Sequence, residues 1–319
     1  MKRKQIRNSI LLVITALIWG IAFVAQSEGG DAVGPFTFNG IRSFVGSAVL
    51  LPVIALLDKL KLTSRKPKTK EDRRLLWTGG ICCGVVLFLA SSFQQMGIYM
   101  GTAAGKAGFL TACYILLVPV LGIFLKKKCG FKVWIGIGLT LVGLYLLCMS
   151  GSMRFQLSDL LLLICALLFA VQILAVDHFS PLVDGVRMSC IQFLVCGLLS
   201  VIPMLCTETF GAGGAAAWLA NLSTPAAWIA ILYAGVFSCG VGYTLQIVGQ
   251  DGLNPTVASL IMSLESVFAA IFGAILIPSQ ALQGRELFGC ALMFAAIVLA
   301  QLPQKGAAKV AETEQSTHR

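Results

Sequence analysis

The sequence predicts an all-α polytopic membrane protein: ten transmembrane helices forming two inverted five-helix repeats. Three observations carry that expectation. Of 319 residues, 57% are hydrophobic and 12% charged, whereas a soluble domain carries about 25% charge. Apolar runs of membrane-spanning length recur along the whole chain. Only helices and closed barrels satisfy their backbone groups in lipid, and the short alternating strands of a barrel are absent. The two halves of the chain also match each other at a fixed shift.

Span 1, Ile10 to Ala25, follows the basic stretch MKRKQIR. The pair could imitate a signal peptide, but the run is long, and a cut after Ala25 would put Phe23 where a small residue is wanted. A short acidic loop with Glu28 and Asp31 leads to span 2, Pro35 to Leu57, with Arg42 about two turns inside. The loop from Asp58 to Arg74 holds eight Lys or Arg residues. Span 3, Leu75 to Met100, places Ser91, Gln95 and Tyr99 on one face. Span 4, Thr102 to Leu125, carries Lys106 near its start and Pro119 inside, where a kink is expected because proline removes a backbone bond. Span 5, Val133 to Met149, has Gly136 and Gly143 one heptad apart, a close-packing face.

Gly151 to Ser158 is the joint between halves. Spans 6 and 7, Asp159 to Val176 and Met188 to Cys206, contain Gln172 and Gln192. A Gly- and Ala-rich loop then runs to Pro225. Span 8, Ala226 to Gly249, shows a glycine stripe at Gly235, Gly242 and Gly249 and a polar face of Tyr243, Gln246 and Gln250. Span 9, Asn254 to Ile277, is apolar throughout except for Glu265 at its middle. Asn254 suits an N-cap, Pro255 suits the first helical position, and Ser259, Ser263 and Ser266 form a small-residue stripe. Span 10 covers Arg285 to Leu302.

With ten spans and both termini cytoplasmic, 20 of the 24 Lys and Arg residues face the cytoplasm, which is the positive-inside arrangement. The net charge of +10 thus reflects orientation and anionic headgroups rather than nucleic-acid binding. The eleven cysteines sit mostly in apolar runs and contain no C-x-x-C pair, so they predict neither a disulfide framework nor a metal site. No cofactor is implied.

At a shift of 151 residues Trp77 pairs with Trp228, Gly84 with Gly235, Gln95 with Gln246 and Gly122 with Gly273. At a shift of 150, Ala16-Leu17 pairs with Ala166-Leu167, and Ile41 with Ile191. Five spans per half put the copies in opposite orientations, a transporter signature with the substrate site near the midplane. The halves are residues 1–150 and 151–304, and 305–319 is a flexible tail.

Symmetry fails at informative positions. Glu265 aligns with Tyr114, Lys106 with Val257 and Arg42 with Gln192. A lone charge at membrane depth costs at least about 2.5–3.5 kcal/mol and marks a site or a partner. The candidate substrate and proton pathway is therefore Glu265, Gln95, Gln246, Tyr243, Tyr114, Trp19, Arg42 and Lys106. Trp19 suits packing as well as a substrate platform, the two glutamines suit interhelical bonds as well as a cavity, and Lys106 could snorkel outward.

Several stretches resemble the EamA-type transporters of the drug/metabolite transporter superfamily. They are ALIWGIAFVAQ in span 1, NGIRSFVGSAVLLP around Arg42, AGFLTACYILLVPVLGIF in span 4, GIGLTLVGLYLL in span 5 and SLIMSLESVFAAIFGAIL in span 9. The resemblance covers nearly the whole chain. It implies two inverted repeats, a central cavity, alternating access, and export or exchange of small metabolites such as amino acids or drug-like compounds. Two features depart from it. Many members carry a Glu after spans 4 and 9, where this chain reads LKKKCG and IPSQAL, and many have Pro after the span 9 Glu, where Ser266 stands here.

The expected function is a secondary transporter of small organic solutes in a bacterial inner membrane, with H+ as a coupling ion, as a monomer or homodimer. An intramembrane enzyme would need a nucleophile with a base, or a metal constellation, and the spans hold one acid and no histidine at depth. A lipid flippase or a non-transporting receptor is the alternative class, since an apolar cavity with few polar groups also suits a lipid. No G-x-x-x-x-G-K-[ST] motif is present, so energy would come from a gradient, exchange or a partner.

Overall fold

The computed structural model describes residues 2–63, 65–102, 104–127, 130–148, 156–211, 214–276 and 283–301. The 305–319 tail, Gly151 and Arg154 lie outside them, as do the side chains of Glu28, Asp31 and Lys106. Among the described residues every regular element is helical. The helices are α1 (Lys2–Val33), α2 (Pro35–Lys59), α3 (Lys70–Tyr99), α4 (Ala104–Ala112), α5 (Tyr114–Phe124), α6 (Phe131–Cys148) and α7 (Leu157–Phe179). They continue with α8 (Gly185–Pro203), α9 (Gly214–Leu222), α10 (Pro225–Leu232), α11 (Thr244–Gln250), α12 (Pro255–Met262), α13 (Glu265–Leu276) and α14 (Gly284–Gln301). Wider-wound π-helical turns extend α8 over Met204–Thr209 and join α10 to α11 over Tyr233–Tyr243.

Eight of the resulting rods are long and apolar enough to cross a membrane, and Phe131–Leu147 is a shorter apolar helix. The protein is an integral membrane protein by this measure. Apolar side chains such as Phe124, Phe131, Ile229 and Val298 point outward, where lipid rather than water would meet them at no cost.

Helix starts follow their caps. The Asn254 side chain accepts from the Thr256 N–H at 2.9 Å, and Pro255 opens α12. Thr69 and Asp72 form a capping box that starts α3 five residues before Leu75. Three expectations are corrected. The stretch expected as an acidic loop is helical, because α1 continues to Val33 before Gly34 turns the chain with φ 83°. The Gly- and Ala-rich loop contains α9, since GAAAWLANL is rich in alanine, the best helix former. The break in span 4 falls at Cys113, six residues before Pro119, and α5 runs unbroken through the proline.

Span 9 is also broken, between Met262 and Glu265. Ser259 and Ser263 each turn their hydroxyl back to the carbonyl three residues earlier, at 2.9 and 2.7 Å. Such back-bonding competes with the helical ladder. At the 151-residue shift Cys113 corresponds to Leu264, so both copies are interrupted at the same place.

The rods interlock across the two halves. α2 runs antiparallel to α8: Asn39 reaches Ser200 at 3.3 Å and Ser47 reaches the Cys190 carbonyl at 3.1 Å. α3 runs antiparallel to α7, with Gly79 on Phe179 and Gly97 on Leu162. α1 packs likewise on the α10–α11 rod, through Asn8 to the Asp251 carbonyl at 2.7 Å, Thr15 to the Gly242 carbonyl at 3.2 Å, and Tyr233 to the Ile18 carbonyl at 3.2 Å. The glycine stripe of span 8 lets α1 approach at Gly242 and Gly249 and α2 at Gly235. A Cβ at Gly235 would meet the Arg42 carbonyl, one at Gly242 the Trp19 indole, and one at Gly249 Leu12. α6 and α14 meet through Gly143 and Gly289, whose added Cβ would lie 2.6 Å from the Gly143 carbonyl.

The two ends of the bundle differ. At the end holding Lys4, charges tie the halves together: Lys4 and Arg65 each reach Asp251 at 3.2 Å, Arg187 and Lys127 reach Asp58 and Asp177 at 2.7 Å. At the opposite end Glu208 caps α2. Its carboxylate accepts from the N–H groups of Phe36 and Thr37 at 2.7 Å and from the Thr37 hydroxyl at 2.6 Å.

Candidate functional site

The cavity that concerns function lies between the halves, where the interruptions of spans 4 and 9 face α1, α2, α7 and the π-helical turn. The space inside it that solvent can reach is about 40 Å³, and about 520 Å³ when all the open space at its mouth is counted. Six of the eight residues expected from sequence line it: Trp19, Arg42, Tyr114, Tyr243, Gln246 and Glu265.

Glu265 is the first residue of α13, and Tyr114 is the first residue of α5. Each follows its helix break directly, and the chain passes both breaks through tighter three-residue turns, Leu116 N–H to the Cys113 carbonyl at 3.0 Å and Ser266 N–H to the Ser263 carbonyl at 3.2 Å. The Tyr114 hydroxyl donates to Glu265 Oε1 at 3.1 Å. The residues are 151 positions apart, so the two members of one repeat pair touch. The acid of the second half thus meets a side chain of the first.

Arg42 is 6% exposed. Its Nε and Nη2 donate to Asn39 Oδ1 at 3.3 and 3.1 Å, and Nη1 donates to Gln26 Oε1 at 2.9 Å. Asn39 in turn donates its amide to Ser200 on α8 at 3.3 Å. One turn of α2 brings Asn39 beneath Arg42, and Phe38 lies under the guanidinium at 5.2 Å. No acidic side chain among the described residues lies within ion-pair distance of Arg42.

Trp19 and Tyr243 form the aromatic wall, their rings 4.6 Å apart, with Phe193 edge-on to Tyr243 at 5.3 Å. The Trp19 indole N–H is buried and has no partner among the described residues. Gln246 donates to Gln172 Oε1 at 3.1 Å, leaving Gln246 Oε1 and Gln172 Nε2 without partners among the described residues. Such orphans in a cavity wall are groups available to a solute or to water.

Gln95 is not part of this wall. It is 1% exposed, and neither of its amide atoms has a partner. Its repeat mate Gln246 bonds Gln172, but the position matching Gln172 at the 150-residue shift is Ala22, which offers no side-chain partner. The neighbouring Gln94 lines the cavity instead, near Thr111 at 3.5 Å. The helical face of Ser91, Gln95 and Tyr99 is thus turned by one residue from the cavity-facing stripe. The Lys106 side chain lies outside the described residues. Gln26, Gln94, Gln172, Thr111 and Ser238 also line the cavity. Gln172 carried a signal in the sequence as an amide inside an apolar run, whereas Gln26 falls just past span 1, and only the fold brings the two to Gln246 and Arg42.

The profile of the EamA-like transporter family matches residues 7–149 and, a second time, residues 156–302. The chain belongs to this family. An EamA relative named "Uncharacterized transporter" from Archaeoglobus fulgidus is 28% identical over 301 residues, covering 94% of this chain and 87% of that protein. "Uncharacterized transporter YwfM" of Bacillus subtilis is 23% identical over 307 residues, covering 93% of this chain and 95% of that protein. A crystal structure superposes on this EamA chain with a TM-score of 0.69 at 18% identity, over 92% of this chain and 96% of the other. At that identity the likeness concerns the fold. Family and relatives together make this EamA protein a membrane transporter, with nothing in their names that assigns it a catalysed reaction.

Proposed function

We propose that this chain is a secondary-active transporter, an exporter or exchanger of small organic metabolites such as amino acids or drug-like compounds. It works by alternating access between two inverted five-helix repeats, and Glu265 carries the coupling proton. The repeats are residues 1–150 and 151–304, followed by the 305–319 tail, with ten spans in all and α6 and α14 as the fifth and tenth. The termini lie on the cytoplasmic side of a bacterial inner membrane, and the protein acts as a monomer or homodimer.

The observation that carries this reading is the contact between the repeat mates Tyr114 and Glu265, at the start of two helices broken at matching positions. Discontinuous spans beside a pseudo-two-fold axis are where inverted-repeat transporters bind substrate and ion. The packing supports it too: the pairing of α3 with α7 is mirrored by that of the α10–α11 rod with α1. The other ionisable groups on the cavity wall are Tyr114, Tyr243 and Arg42. A carboxyl between the halves can exchange its proton with either side in turn as access alternates.

The test is Glu265→Gln, which keeps shape and hydrogen bonding but cannot cycle a proton. In proteoliposomes, uphill transport driven by a pH gradient is expected to be lost while substrate exchange persists. Wild-type uphill rates for Glu265→Gln would return the residue to a structural hydrogen bond.

A further inference from the structure

We infer that the cavity takes a small organic anion whose carboxylate is held by Arg42. This rests on the cavity being the substrate site. It adds the charge class of the solute and the residue that reads it.

A guanidinium has five N–H donors. Three of them are used, two toward Asn39 Oδ1 and one toward Gln26 Oε1. One N–H remains on each terminal nitrogen, free to donate to a carboxylate. The partners already present are neutral amide oxygens. They orient the group without cancelling its charge. A buried charge is ordinarily paired, yet Arg42 is 6% exposed and faces the cavity without an acid in contact among the described residues. The guanidinium shares the cavity with Glu265, whose carboxyl bonds Tyr114 instead, so a solute carboxylate entering the cavity meets a charge that the amide oxygens leave uncancelled.

The support behind Arg42 is what a reading residue needs. Asn39 is fixed by Ser200 on α8, and Gln26 returns its own amide to the Ala22 carbonyl at 3.2 Å. The guanidinium is thereby held from α1, α2 and α8 before any solute arrives. A lysine would supply the charge but not the fork. The rest of the wall suits an apolar body with few polar groups: Trp19, Phe23, Phe169 and Tyr243, with the free Trp19 indole N–H among them.

The test uses the purified full-length protein in detergent and three probes with one body and different heads: phenylacetate, phenylacetamide and phenethylamine. Binding is read by calorimetry and by thermal shift, in wild type and in Glu265→Gln, so that the outcome does not depend on proton coupling. Phenylacetate is expected to bind at least about tenfold more tightly than the other two, the scale of a charge-assisted contact. Arg42→Gln should erase that preference, and Arg42→Lys should keep only part of it. The head-group order in wild type decides the matter even if an Arg42 variant fails to fold. Equal or tighter binding of the amide or amine, an unchanged phenylacetate affinity in Arg42→Gln, or no binding of phenylacetate at millimolar concentration would overturn the inference. Preference for the amine with proton-coupled transport intact would remove the Arg42 role and leave the transporter reading standing.

Discussion

Tyr114 holds Glu265 through a single phenolic hydrogen bond of 3.1 Å. Tyr114→Phe keeps the ring and removes that donor. A neutral hydrogen bond contributes about 0.5–1.5 kcal/mol net, so the variant should fold with a small loss in thermal midpoint. The pH profile of transport should shift, because the bond acts on the carboxylate that we propose carries the proton. A profile unchanged from wild type would mean that the bond is only structural. The two repeat-related glutamines make a second, opposed pair of predictions. Gln246→Leu removes a polar group from the cavity wall and should impair transport more than stability. Gln95→Leu removes two buried amide atoms without partners, whose desolvation costs about 1–3 kcal/mol. Its thermal midpoint should stay level or rise, and transport should survive. Equal loss of folding and transport in both variants would mean that the two positions share a packing role.

At the scale of the element, α2 is the helix whose ends are tied to the other half. Glu208 at the end of span 7 caps its N-terminus, the Trp218 indole of α9 donates to Thr37 at 2.8 Å, and Arg187 grips Asp58 at its far end with two 2.7 Å contacts. A carboxylate at a helix N-terminus answers both the free N–H groups and the helix dipole. Glu208→Ala should therefore cost about 0.5–2 kcal/mol, the range for losing a cap, and Glu208→Gln should cost less. Thermal unfolding in detergent reads both, and a wild-type midpoint for Glu208→Ala would show that solvent replaces the cap. Gly34 belongs to the same device. Its φ of 83° suits glycine, and a Cβ there would lie 2.7 Å from the Glu208 carboxyl carbon.

For the whole molecule, the ends of the bundle carry different chemistry. Ion pairs between the halves gather at the Lys4 end, with Asp251 meeting both Lys4 and Arg65. We propose, from the positive-inside rule, that this end faces the cytoplasm. Orientation is tested in a background cleared of reactive cysteines, including the exposed Cys82 and Cys206. A membrane-impermeant thiol reagent outside intact cells should modify Ser223→Cys and spare Lys68→Cys. The reverse pattern would invert the topology.

The all-helical membrane class and the family were legible in the sequence, because the cost of exposing backbone and charge to lipid is set locally, residue by residue. The sequence also singled out Glu265 and Arg42, since a lone charge in an apolar run is visible without coordinates. It could not decide which polar residues meet. Gln94 rather than Gln95 reaches the cavity because helix rotation is set by packing against α7 and α8, through Gly97 on Leu162 and Gly84 on Val195. The break at Cys113 rather than at Pro119, and the meeting of Tyr114 with its repeat mate Glu265, likewise depend on how one half seats on the other. Neither half contains that information alone. Contacts such as Tyr114 with Glu265 join residues far apart in the chain, and the packing of one half on the other sets them.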